Sequence, residues 1–121
     1  MVATGDGGGV MGLPDLHALV KTASSAAVLV FNDAACYGAE IHHYGSHGLD
    51  ERIMETDQID FATTATGFGA QGVVVNTMDE LDQVQAWVDD ESKGTVVVDM
   101  RVSRNIVTRY IQVIIKLTIK L

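Results

Sequence analysis

Gly5-Asp6-Gly7-Gly8-Gly9 and Asn32-Asp33 are the two stretches on which the reading of this chain turns. An acidic residue sits inside a glycine run, directly after a short apolar start, Val2 and Ala3. The second polar pair follows another apolar run, Ala26 to Phe31. If the two runs are neighbouring parallel strands, Asp6 and Asp33 leave the sheet at the same carboxyl edge, where open α/β folds bind ligands. Glycines let the backbone come close to a phosphate, and a following helix N-terminus favours anions. Two hard oxygen donors beside such a turn suit Mg²⁺, which bridges carboxylates to a substrate's phosphates.

The neighbouring stretches support parallel strands. Residues 1–4 read as a short strand, followed by a glycine-rich turn and a helix from about Pro14 to Ala23. Pro14 suits a first helical position. Leu16, Leu19, Val20 and Ala23 form the i, i+3, i+4, i+7 stripe of an amphipathic helix. Residues 26–31 are β-prone and apolar throughout, as in a strand buried on both faces. Residues 33–57 show no period and read as a long loop with room for one short helix. Asp57 fits the N-cap of a helix over roughly 58–66, which Gly67 and Gly69 end. Residues 72–75 are a third strand. Thr77 and Glu80 have the spacing of a capping box. The helix they open runs to about Glu91 with Leu81, Val84, Trp87 and Val88 on its buried face. Phe61 and Trp87 read as core. Thr95 to Asp99 is the fourth strand. Strand and helix alternate, which predicts an α/β fold: a parallel, doubly wound sheet with helices on both faces, incomplete at its N-terminus.

Composition sets the outer bounds. A length of 121 residues allows one domain at most, and 47% hydrophobic content is ordinary for a globular protein. The formal charge of −8 argues against a nucleic-acid surface. The single cysteine, Cys36, excludes an internal disulfide and fits a reducing cytoplasm. No apolar run approaches the ~20 residues that span a membrane, and the start lacks the basic and apolar regions of a signal peptide. All 16 acidic residues lie between Asp6 and Asp99, whereas five of the eight basic ones lie from Arg101 onward. The chain therefore divides into residues 1–102 and a basic tail, 103–121. From Ile111 to Leu121 every odd position is apolar, which predicts a strand. Such a tail reads first as an edge strand or a disordered end, and second as a strand that pairs with a partner.

The glycine run is not a P-loop, because no Gly-Lys-Ser/Thr follows. A dinucleotide fingerprint starting at Gly5 would need glycine where Val10 stands. What remains is Gly-Asp-Gly, 24 intervening residues and Asn-Asp. This resembles the cofactor motif of thiamine diphosphate-dependent enzymes, in which Gly-Asp-Gly precedes Asn-Asn at about this distance. Asn32-Asp33-Ala34-Ala35-Cys36-Tyr37-Gly38 is similar to their Asn-Asn loop. Residues 59–70, 77–87 and 95–101 resemble the later blocks of the pyrophosphate-binding domain in the acetolactate synthase and benzoylformate decarboxylase group. The resemblance covers about residues 2–102. It implies that Asp6 and Asp33 are side-chain ligands of Mg²⁺ and that the main-chain carbonyl of Ala35 is a third. It also implies that Gly7 and Gly8 present backbone N–H groups to the diphosphate beside Gly5, that Asn32 braces the loop, and that Tyr37 follows at the cofactor. Tyr37 falls one residue later than the family's aromatic, so the loop carries an extra residue near Cys36. For Asp6 read without the resemblance, a turn residue bonding its own backbone is the other reading.

Glu40 sits where some 2-oxoacid decarboxylases of this family place a glutamate over the reacting centre, and there it would relay protons; read without the resemblance it is a solvated loop residue. His42, His43 and His47 fit no standard zinc spacing and read as loop histidines facing solvent or substrate. Cys36 lacks an evident base to make it a nucleophile. Family enzymes also contain a pyrimidine-binding domain with an activating glutamate, which the four residues before Gly5 do not hold. The resemblance therefore implies a fragment, a split-enzyme subunit or a truncated product. Its partner would be the pyrimidine-binding domain or subunit, within a homo- or hetero-oligomer. The implied function is Mg²⁺-dependent binding of thiamine diphosphate in a lyase or carboligase acting on small 2-oxo acids. The alternatives are a truncated, non-catalytic α/β module that pairs with a partner chain, and an unrelated phosphate-binding domain.

Overall fold

A computed structural model describes residues 1–35, 38–106 and 109–118. The elements are β1 (Val2–Gly5), α1 (Asp6–Thr22), β2 (Ser25–Asn32), α2 (Gly38–Ser46), α3 (Phe61–Gly67), β3 (Gln71–Val75), α4 (Asp82–Asp89), β4 (Gly94–Arg101) and α5 (Arg109–Thr118). Single 3₁₀ turns lie at Arg52–Met54 and Met78–Leu81. The four strands form one parallel sheet in the order β1-β2-β4-β3. Gly5 is in register with Phe31, and Asn32 with Arg101. That register lines up the carboxyl ends of β1, β2 and β4 and fixes where the site must lie.

Apolar side chains fill both faces of the sheet. On one face Leu16, Val30, Phe61, Ala65, Ala70 and Val97 form a cluster beneath α1 and α3. On the other, Val73, Val75, Trp87, Val96 and Val98 form a cluster beneath α4. Val96, Val97 and Val98 are all buried, the continuous apolar run expected of a central parallel strand. The predicted α/β fold with helices on both faces is thus the observed one. Phe61 and Trp87 are core residues, and the Trp87 indole N–H donates to the Lys93 carbonyl at 2.9 Å.

Four local expectations are corrected. First, α1 does not begin at Pro14. It begins at Asp6, with Gly5 as an extended N-cap, so the glycine run is the first turn of the helix. The glycines serve close packing there. A Cβ on Gly8 would run into the Thr4 hydroxyl, and one on Gly9 would sit 2.9 Å from the Phe61 ring. Pro14 lies inside the helix but is exposed, so water can replace the hydrogen bond its ring removes. Second, α3 is capped by Asp60, not Asp57; its carboxylate accepts from the Thr63 N–H at 2.8 Å and the Thr63 hydroxyl at 2.7 Å. The helix cannot start earlier because the preceding backbone is already committed: Ile59 carbonyl accepts from Asn32, and Phe61 N–H donates to Asp99.

Third, α4 stops at Asp89, because the chain reverses through left-handed backbone at Glu91, Ser92 and Gly94. Val88 is exposed, while Leu81 and Val84 pack beside Trp87. The Glu80 carboxylate accepts from the backbone of Asn76 and Thr77 as a capping box requires, although it opens a 3₁₀ turn ahead of the helix. Fourth, the tail is a helix over Arg109–Thr118 that packs against α2, not a strand. Ile114 breaks the alternation, and Ile111, Ile114, Ile115 and Thr118 also fall at i, i+3, i+4, i+7. A helix satisfies its own backbone groups, whereas a strand needs a ladder partner. Residues 119–121 of the predicted strand lie outside the described residues.

Candidate functional site

The site forms where β1 and β2 end. Asp6 is the first residue of α1 and is buried. Its Oδ1 accepts from the Gly7 N–H at 2.8 Å, and its Oδ2 accepts from the Ala35 N–H at 3.0 Å, across to the loop after β2. Asp33 lies in that loop, half-buried, and its Oδ1 accepts from the same Ala35 N–H at 3.2 Å. One amide therefore draws both carboxylates together, 27 residues apart in sequence, beside the N-terminus of a 17-residue helix.

The loop is held from below by a buried polar network. The Asn32 side chain has no exposure; its amide donates to the Ile59 carbonyl at 2.8 Å and to Asp99 Oδ1 at 2.8 Å. Its Oδ1 accepts from the Ala34 N–H at 3.3 Å. Asp99 is equally buried, and its Oδ2 accepts from the Phe61 N–H at 3.0 Å and pairs with Arg101 at 2.8 Å. A fully buried carboxylate needs this degree of pairing. Asn32 thus spends its polar atoms inside the protein and sets the loop that Asp33 and Ala35 occupy.

The other predicted positions fall as follows. Gly5 has open space where a Cβ would stand, so the β1–α1 turn leaves room for a ligand. The Gly7 N–H, expected to face a diphosphate, donates to Asp6 Oδ1 instead, because the carboxylate of the preceding residue folds back over it, and Gly8 packs on Thr4. Glu40 is exposed in the first turn of α2. No group of three or more His, Cys, Asp or Glu side chains gathers around a possible metal among the described residues, so Glu40, His43 and His47 do not join the two aspartates; the His42 side chain lies outside what the structure describes. The His43 and His47 rings lie against each other at a tilt of 51°, with centroids 4.5 Å apart. Cys36 and Tyr37 lie outside the described residues. Sequence reasoning missed Asp99, Arg101 and Arg104. Asp99 and Arg101 looked like the polar end of a strand, and only the register shows Arg101 beside Asn32. A cavity of ≈490 Å³ between α1 and the β1–β2 side of the sheet is lined mainly by apolar residues such as Leu13, Leu16 and Val28, with Asp15 beside them; Asp6 and Asp33 do not line it, so it is separate from the two converging carboxylates.

The donor set suits a magnesium diphosphate. Ionised carboxylates accept only, each with about four lone-pair sites, more than the bonds described to Asp6 and Asp33 occupy. Hard oxygens from two strand ends, an open turn at Gly5 and a helix N-terminus are what Mg²⁺ and a diphosphate require. No helix among the described residues is long and apolar enough to cross a membrane. No match to a curated protein is found. Residues 1–100 match the family model described as thiamine pyrophosphate enzyme, C-terminal TPP binding domain, and the chain belongs to that family of thiamine diphosphate-binding domains.

Proposed function

We propose that the chain binds the diphosphate of thiamine diphosphate through Mg²⁺, with the Asp6 and Asp33 carboxylates and the Ala35 carbonyl as the protein's ligands. The observation that carries this reading is the convergence of both carboxylates on the Ala35 N–H beside the start of α1. Two adjacent carboxylates repel one another, and a divalent cation between them and a diphosphate removes that repulsion. Gly5 and the first turn of α1 would orient the diphosphate, and Asn32 would hold the loop in place from beneath. When bound, thiamine diphosphate supplies the carbanion chemistry; these residues supply binding and orientation.

The sequence blocks quoted above favour a lyase or carboligase acting on small 2-oxo acids, of the acetolactate synthase and benzoylformate decarboxylase group, in the cytoplasm. The partner would be a pyrimidine-binding domain or subunit, in a homo- or hetero-oligomer. Glu40 is exposed on this chain. A proton-relay role for it requires that partner to cover α2.

Calorimetric titration with thiamine diphosphate tests the reading, with Mg²⁺ present or chelated. Binding is expected only with the metal, and Asp6→Ala should weaken it by more than about a hundredfold, as loss of a metal ligand does. Metal-independent binding, or unchanged affinity in Asp6→Ala, would contradict it.

A further inference from the structure

Three consecutive carbonyls, the last of β2 and the first two of the loop after it, are engaged by one short stretch beyond β4. Val102 N–H donates to the Asn32 carbonyl at 3.1 Å. Arg104 Nε donates to the Asp33 carbonyl at 3.2 Å, and Arg104 Nη2 donates to the Ala34 carbonyl at 2.6 Å. Arg104 Nη1 reaches Glu55 Oε1 at 3.4 Å, which steadies the guanidinium from a third side. Between these bonds Ala34 holds a left-handed backbone, φ 58°, which a residue with a side chain keeps only where its surroundings fix it. On the inner side the same loop presents the Ala35 N–H to both carboxylates. The residues that tie the loop lie beyond the 1–100 covered by the family match.

We propose that Arg104 is a positioning residue for the metal-binding loop. Its planar fork holds the Asp33 and Ala34 carbonyls turned outward. That keeps the Asp33 carboxylate beside Asp6 and withholds both of these carbonyls from the cation. A lysine cannot do the same, because a single ammonium on a flexible stem does not match two carbonyls at fixed spacing. The inference rests on the magnesium reading above for its consequence, and on the tie itself for its geometry.

The full-length chain tests both parts through Arg104→Ala and Arg104→Lys. The first readout is amide hydrogen exchange at Ala35 in the metal-free protein. Exchange should be about tenfold or more faster in Arg104→Ala and intermediate in Arg104→Lys, because loosening the loop opens that amide locally. Protection equal to wild type in Arg104→Ala overturns the tie. The second readout is titration with Mg²⁺ and, separately, Ca²⁺ in the presence of thiamine diphosphate. Mg²⁺ demands near-ideal octahedral geometry and Ca²⁺ tolerates irregular ligands. Arg104→Ala should therefore weaken Mg²⁺ about tenfold and Ca²⁺ distinctly less. Equal losses for the two cations, or none, overturn the positioning role. A wild-type chain that binds neither cation overturns the magnesium reading and the cation part of this proposal with it; the Ala35 exchange result then decides the loop tie alone.

Discussion

Asp99 is a buried charge with a donor on each oxygen. Asn32 and the Phe61 N–H bond it from two sides, and Arg101, itself only 15% exposed, neutralises it. Such a pair is weak evidence for stability as it stands, because desolvating both charges offsets much of their attraction. Removing one member is a different matter. Asp99→Ala leaves Arg101 uncompensated, the Phe61 N–H unpaired and Asn32 short of one acceptor. A loss of about 3–5 kcal/mol is expected, read as a lower urea midpoint with unchanged slope. The same variant frees the loop that carries Asp33, so any metal affinity should fall with it. That Asp6 and Asp33 meet at one edge was legible in sequence, since two apolar runs that pair as parallel strands carry the acids after them to the same carboxyl end. Asp99 was not, because nothing in Val96-Val97-Val98-Asp99 announces that the next strand's asparagine will meet it.

At the scale of elements, α3 shows how tertiary contacts move a boundary. The Asp57 cap was plausible by residue type, yet Asn32 and Asp99 hold residues 59 and 61 and hand the cap to Asp60. The Asp60 carboxyl is held below the usual carboxylate range, first by the Thr63 N–H and then by the Thr63 hydroxyl. A depressed folded value means stability that is present above the unfolded value of about 3.9 and lost as pH falls through the folded one. Asp60→Ala should cost about 1 kcal/mol near neutral pH, as loss of an N-cap does. Urea midpoints of variant and wild type should draw together in acid. A gap that persists there would show that the side chain acts by something other than its charge. α1 and α5 were misread for local reasons. Proline's preference for first turns points to a start at Pro14, but an exposed site inside the helix tolerates it. The tail satisfied two periods at once, and alternation alone cannot choose between them.

At the scale of the molecule, the alternation of apolar runs and amphipathic stripes was enough to give the parallel sheet and its covered faces. The order β1-β2-β4-β3 brings Gly5, Asn32 and Arg101 to one edge, which is why residues far apart in sequence share the network beneath the site. What the sequence could not yield was the cross-strand pairing. The same register that positions Asp33 also decides which of its neighbours are buried. The most direct test of a magnesium site at this edge replaces Mg²⁺ with paramagnetic Mn²⁺ in the presence of thiamine diphosphate and follows the backbone amide signals. Broadening should centre on Asp6, Asp33 and Ala35 and fade toward α4; broadening centred on His43 and His47, or spread without a centre, would contradict a metal held between β1 and β2.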